Sequence, residues 1–186
     1  EAVSWYRRAA AQGNADAMNA LGCLYGAGHG VEQNYTEALA WYCRAAEKGL
    51  PAAMVNVGLL LEEGRGAPSN TVEAVQWYRR AAELGDPIGQ RHLSRCLRTG
   101  HGVEVNEKDA AYWLQAAADQ GDAVSLRLLG AASASSDPVQ AVFWYRQAAE
   151  RGDREAVDWL RVRASGGDAE AQYQLGELHW RGTSNM

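Results

Sequence analysis

The chain is poor in several features that would point to chemistry. Only two of its basic residues are lysines, Lys48 and Lys108; the others, histidines aside, are arginines. The formal net charge is -5 and the pI is near 5.4, which argues against the basic face that a nucleic-acid binder needs. No apolar run approaches the ~18 residues of a membrane-crossing helix, so no membrane insertion is expected. Cysteine is limited to Cys23, Cys43 and Cys96. An odd, widely spaced set makes neither a disulfide framework nor a zinc site. It fits a reducing compartment, or an envelope compartment where these thiols stay unpaired. The chain opens on Glu1 rather than Met, with no charged-then-apolar leader before it; either a signal peptide has been removed or the chain is a fragment. Gly-x-Ser-x-Gly and Ser-x-x-Lys nucleophile motifs are missing. The glycine loops lack the Lys-Ser/Thr ending of a phosphate-binding loop. No cofactor, no metal and no catalytic residue is therefore expected.

What is present is a repeat. Hydrophobic residues make up 47% and charged residues 22%, a globular balance. Trp5, Trp41, Trp77 and Trp113 lie 36 residues apart. Gly13, Gly49, Gly85 and Gly121 keep that interval, as do the pairs Ala9-Ala10, Ala45-Ala46, Ala81-Ala82 and Ala117-Ala118. Three ladders in one register define a tandem array. Each period reads as two helices. Helix A runs over Ala15–Tyr25 in the first full period, with Ala17, Leu21 and Tyr25 on one face. A loop, Gly28 to Val31, leads to helix B over about Tyr35–Lys48, where Ala38, Trp41, Ala45 and Ala46 form the expected buried stripe. Gly13, Gly49, Gly85, Gly121 and Gly152 are placed to end helix B at positive φ. Asn14, Asp86, Asp122, Asp153 and Asp168 are placed to cap the next helix, and Pro51 and Pro87 fit a first helical turn.

The pattern Ala-x-x-x-Leu-Gly, Gly-x-Gly-Val, Ala-x-x-Trp-Tyr-x-x-Ala-Ala resembles the Sel-1-like repeat, a relative of the tetratricopeptide repeats. It stands here as Ala17 to Gly22, Gly28 to Val31 and Ala38 to Ala46. It recurs as Ala53 to Gly58, Gly64 to Ala67 and Ala74 to Ala82, and more loosely from Gly89 to Ala118. The resemblance implies an all-α, right-handed α/α solenoid of about five repeats. The expected organisation is one domain over 1–186: a half repeat 1–12, repeats 13–48, 49–84, 85–120 and 121–151, a degenerate lone helix 152–166 and a terminal helix 167–182. Irregularity is expected after residue 130, because Ala131 to Ser136 replace the long glycine loop and Trp159 follows Trp144 by only 15 residues. Trp5, Tyr6 and Trp180 leave apolar residues at the half-unit ends, which either meet further repeats of a longer parent chain or bind something.

The resemblance also implies protein–protein interaction, on a concave surface lined by helix A. Helix A positions outside the repeated core give the ladders Asn19, Val55, Arg91, Arg127, Tyr173; Ala20, Asn56, His92, Leu128, Gln174; and Cys23, Leu59, Arg95, Ala131, Glu177. Arg91, His92 and Arg95, with Arg98 and Arg127, form a basic cluster in an acidic chain. It would receive an acidic segment of a partner, while Asn19 and Asn56 would bond the partner's backbone. The alternative is a solvated cationic face paired with local acids. Other candidates read as bland. Glu62-Glu63 fit a solvated helix end, His29 and His101 exposed loop residues, and the tryptophans core filling. Cys23 and Cys43 should not bridge. The function expected is a non-catalytic scaffold or adaptor of bacterial origin, in the periplasm, envelope or cytoplasm. The alternative is an immunity protein or inhibitor that neutralises a secreted toxin or effector enzyme, with a cell-wall hydrolase as a remote third.

Overall fold

Helix starts and stops follow from capping chemistry. A helix leaves its first N–H groups without intrahelical partners, and a short polar side chain just before it can accept from one of them. The computed structural model describes residues 1–180 and 182, and in it this happens repeatedly. Asn14 accepts from the Ala17 N–H at 2.8 Å, Asn34 from Glu37 at 3.0 Å and Asp86 from Gly89 at 2.7 Å. Asp122, Asp153 and Asp168 act likewise on Ser125, Ala156 and Ala171. Pro51, Pro87 and Pro138 occupy first turns. The turn from helix B to the next helix A uses Gly13, Gly49, Gly85, Gly121 and Gly152, all at φ between 84° and 87°; there a side chain would strain the backbone.

The described residues form helices and no strand. In chain order these are α1 (Ala2–Ala11), α2 (Ala15–Ala27), α3 (Tyr35–Glu47), α4 (Pro51–Glu63), α5 (Thr71–Glu83), α6 (Pro87–Thr99), α7 (Glu107–Asp119), α8 (Ala123–Ser133), α9 (Pro138–Glu150), α10 (Arg154–Ser165) and α11 (Ala169–Trp180). They fall into two compact units, Glu1–Trp113 and Leu114–Met186, divided within α7.

In the first unit, α2 packs on α3 and α4 on α5, and each B helix packs in turn on the following A helix. Neighbouring A helices also meet directly, α4 against α6. Small residues of the B helices, Ala38, Ala45, Ala74 and Ala81, are fully covered beside Leu21, Val57 and Leu93. Small side chains at facing positions permit this close approach.

The aromatic stripe differs from the expected one by one residue. Tyr42 and Tyr78 are buried, at 8% and 0% exposure, whereas Trp41 and Trp77 are only half-buried. The reason is a fitted contact. Gly22 on α2 and Gly58 on α4 are each the seat of the tyrosine ring of the following helix B. A Cβ on Gly22 would lie 2.5 Å from Tyr42, and one on Gly58 would lie 2.5 Å from Tyr78. The tryptophans lie beside this seat, each under an arginine one turn later. Arg8 covers Trp5 at 4.9 Å, Arg44 covers Trp41 at 4.6 Å and Arg80 covers Trp77 at 4.7 Å. The guanidinium meets the negative ring face. Trp and Tyr share the 36-residue interval, so the period alone does not separate them.

The second unit repeats the seat once. Gly130 of α8 faces Tyr145 of α9, where a Cβ would lie 2.8 Å from the ring. Regular alternation then stops, in line with the irregularity expected after residue 130. The helix α10 enters through Gly152 and Asp153, as a helix A does, and leaves through Gly167 (φ 93°) and Asp168, as a helix B does. It packs on α9 and α11, and α11 also packs on α9. Trp159 of α10 stacks on Tyr145 with centroids 3.9 Å apart and planes 11° apart. The terminal helix expected over 167–182 takes in residue 181, which, with 183–186, lies outside the described residues.

Candidate functional site: a row of first helices

Side chains that point along the stack from one A helix meet the next A helix. Asn56 on α4 donates its side-chain N–H to Asn19 Oδ1 on α2, at 2.9 Å. Both residues are half-buried. Each amide keeps further bonding capacity, since an Asn carries two donors and one oxygen acceptor. Val55, expected on the same row, is instead part of the core at 4% exposure.

The basic cluster on α6 is built into the fold. His92 stacks on the buried Tyr78 ring, with centroids 4.9 Å apart and planes 18° apart. Arg95 donates to both oxygens of Glu62 on α4 at 2.7 Å. The Tyr78 hydroxyl donates to Glu62 Oε2 at 2.8 Å, and His101 Nε2 lies 3.3 Å from Glu62 Oε1. The Glu62 side chain is only 15% exposed, so it is not the solvated helix end expected from its position. His101, expected as a plain loop residue, contributes to this carboxylate site. Burial by itself would raise the Glu62 carboxyl. The Arg95 and Tyr78 hydrogen bonds and the neighbouring cations outweigh it and hold the carboxyl below its ordinary value. Burial, then the bond to Glu62, pushes the Tyr78 hydroxyl upward. Arg91 lies half-buried on the same helix.

In the second unit, Arg127 reaches from α8 to the α10 cap. Its Nε lies 3.0 Å from Asp153 and its Nη1 lies 3.0 Å from Glu155. The structure thus brings Asn19 to Asn56, and joins His92 and Arg95 through Tyr78 and Glu62, while Arg127 is held by acids of its own unit. Sequence reasoning did not find Glu62, Tyr78 and His101 as members of a network. Glu62 sits at a helix end in the sequence, and only the packing of α4 on α6 shows what covers it.

Other candidates resolve simply. The thiols of Cys23, Cys43 and Cys96 are free, exposed, half-buried and buried respectively. Tyr42 donates to Cys23 Sγ at 3.3 Å. Burial pushes the Cys96 thiol upward, only partly opposed by Arg95, which works against a reactive thiolate. His29 is exposed. Among the described residues no group of three metal-ligating side chains converges, and no helix is long and apolar enough to cross a membrane.

Tandem A/B pairs with tyrosine-on-glycine seats, and the first helices α2, α4 and α6 side by side in the first unit, define an α/α repeat solenoid. The Sel1 repeat matches residues 1–14, 15–50, 51–86, 87–122, 126–153 and 169–186; the chain belongs to the Sel1 repeat family. It is similar to a Sel1 repeat protein from Oxalobacter formigenes at 31% identity and a TM-score of 0.78, over 87% of this chain and 70% of that one. It is also similar to a protective antigen present in uropathogenic Escherichia coli strains, at 31% identity and a TM-score of 0.72, over 96% of this chain but only 44% of that one. An immunity protein from Pseudomonas aeruginosa shares the fold at 23% identity and a TM-score of 0.62, over 83% of this chain and 59% of that one. No curated protein matches the chain. Sel1 repeat proteins mediate protein–protein interaction, and the scaffold is generally non-catalytic.

Proposed function

We propose that the protein is a non-catalytic scaffold that docks a protein partner on the helix-A row of the first unit, with Asn19, Asn56, Arg91, His92 and Arg95; Arg127, on a first helix of the second unit, is a separate candidate contact. The observation that carries this reading is the Asn56–Asn19 bond between adjacent A helices. It fixes two amides side by side with capacity left for a partner's peptide groups. A packed scaffold that varies along one row is how repeat proteins present a binding surface. The Glu62 bridge changes the part assigned to Arg95. Its charge is largely answered from within, so it orients the surface more than it attracts an acidic segment.

The test is site-specific photocrosslinking in cells that express the natural protein. A photoreactive residue replaces Ala20 or Leu59 on the A row, or Gln76 or Arg79 on the B side. The expected result is one dominant protein adduct from the A-row positions, weakened at least tenfold by Asn19→Ala with Asn56→Ala in a folded protein. Adducts only from the B side would overturn the reading.

A finer role is favoured by the fold shared with Pseudomonas aeruginosa immunity proteins: neutralisation of an effector enzyme. Co-expression with toxins encoded beside its gene checks this. Restored growth is expected, and growth arrest by every neighbouring toxin despite co-expression would leave the scaffold without that role.

A further inference from the structure

Many of the surface rings of this protein are capped in one way. Five of them lie under a guanidinium of the chain itself: Trp5, Trp41 and Trp77 as above, Tyr35 under Arg65 at 5.2 Å, and Trp159 under Arg163 at 5.4 Å. Others are exposed without such a cap among the described residues, Tyr6 and Tyr112 in the first unit and two that share a groove in the second. Between α9 and α11 runs a groove of about 310 Å³, lined by Val139, Phe143 and Tyr173 together with Arg146, Glu170 and Glu177. Phe143 is 45% exposed and Tyr173 is 61% exposed, and among the described residues no guanidinium lies over either ring. Arg146, one turn after Phe143, instead pairs with Glu150 at 3.1 Å. Glu170 accepts from Gln174 at 2.7 Å, and a carboxylate has lone pairs for further donors.

We propose that this groove binds an arginine side chain presented by a partner protein. The guanidinium plane lies against the Phe143 and Tyr173 rings, its N–H groups donate to Glu170 and Glu177, and Val139 covers the aliphatic stem. Two aromatic faces with two carboxylates suit a flat, multiply donating cation better than a compact ammonium. Tyr173 and Glu177 stand on the helix-A ladders, but the groove lies wholly within the second unit, and its occupancy does not depend on docking at Asn19 and Asn56 in the first.

The probe is the capped tripeptide acetyl-Leu-Arg-Leu-amide, titrated into the full chain with aromatic ¹³C labels and followed by NMR. Its citrulline counterpart keeps the shape and removes the charge. Saturable shifts of the Phe143 and Tyr173 ring signals are expected, with Kd on the order of 1 mM. Affinity should fall at least fivefold with citrulline, and also with Glu170→Gln plus Glu177→Gln. Phe143→Ala with Tyr173→Ala should abolish the effect. If that pair melts abnormally, the glutamine pair decides. Equal binding of the citrulline peptide, or no saturation by about 20 mM, would overturn the proposal. So would the same ring signals moving with protein concentration alone, which would assign the groove to a second copy of the chain.

Discussion

The two units use the same tyrosine-on-glycine seat and differ in the connections around it. In the first unit each helix A ends on a left-handed glycine, Gly28, Gly64 or Gly100, and a loop carries the chain over to helix B. In the second, α8 ends at Ser133 with Ala134 still right-handed, and a short turn leads to α9. Pairing within α8 and α9 survives the shortened loop, because the seat is local to the two helices. Regular alternation after α9 does not survive, and α10 takes both kinds of junction. The difference teaches that the pair and the stack are specified by separate devices: the seat makes a pair, and the junction spacing extends it.

The largest test of that separation is Gly58→Ala. The added Cβ meets the fully buried Tyr78 ring at 2.5 Å, and overpacking of this kind is expected to cost about 2 kcal/mol, within the usual 1–3. Chemical denaturation monitored by amide exchange should show the loss in the first unit and leave the second unchanged. A uniform loss in both would mean that pairs are not independent. Next in size is Glu62→Gln, with an expected loss of about 1–2 kcal/mol near neutral pH. The Glu62 pKa is lowered in the folded state, so its contribution is complete above the unfolded carboxylate value of ~4.3 and disappears as pH falls through the folded value. The gap in melting temperature between wild type and variant should therefore close on acidification. A gap that stays constant down to strong acid would remove the network from the stability of the first unit.

Gly176→Ala sharpens the comparison from the other side. This glycine is helical in α11, and a Cβ added to it would meet nothing within 4 Å, so alanine is expected to add roughly 0.5–1 kcal/mol through helix propensity. A loss, read in the same denaturation experiment, would show that its seat is in use. The smallest effect is expected from Arg80→Ala, about 0.5 kcal/mol for an exposed cation–ring contact. A change in Trp77 fluorescence should accompany it.

The architecture was legible in the residues because its devices are local and repeated. Asn14, Asp86 and Gly49 announce helix ends by type alone, and the spacing of Trp144 and Trp159 exposes the break in alternation. Contacts across the stack were less accessible. Glu62 and Arg95 lie 33 residues apart, which is not a whole period, so no ladder pairs them. Tyr78 was hidden beside Trp77, since a shared interval cannot say which ring turns inward. The candidate surface was legible as a row, through Asn19 and Asn56. The charge on it was not, because neutralising partners such as Glu62 for Arg95 and Asp153 for Arg127 come from other helices.

The ring-on-glycine contact also works as a gauge. A slip of one residue between paired helices would bring Leu21 or Cys23 under the Tyr42 ring, and neither leaves the space that Gly22 does. Each pair that has this contact, α2 with α3, α4 with α5 and α8 with α9, thereby sets its own alignment without reference to its neighbours, so misalignment in one is not handed on to the next. Lengthening such an array by whole periods, or within its loops, preserves every fit; an insertion inside a helix breaks one.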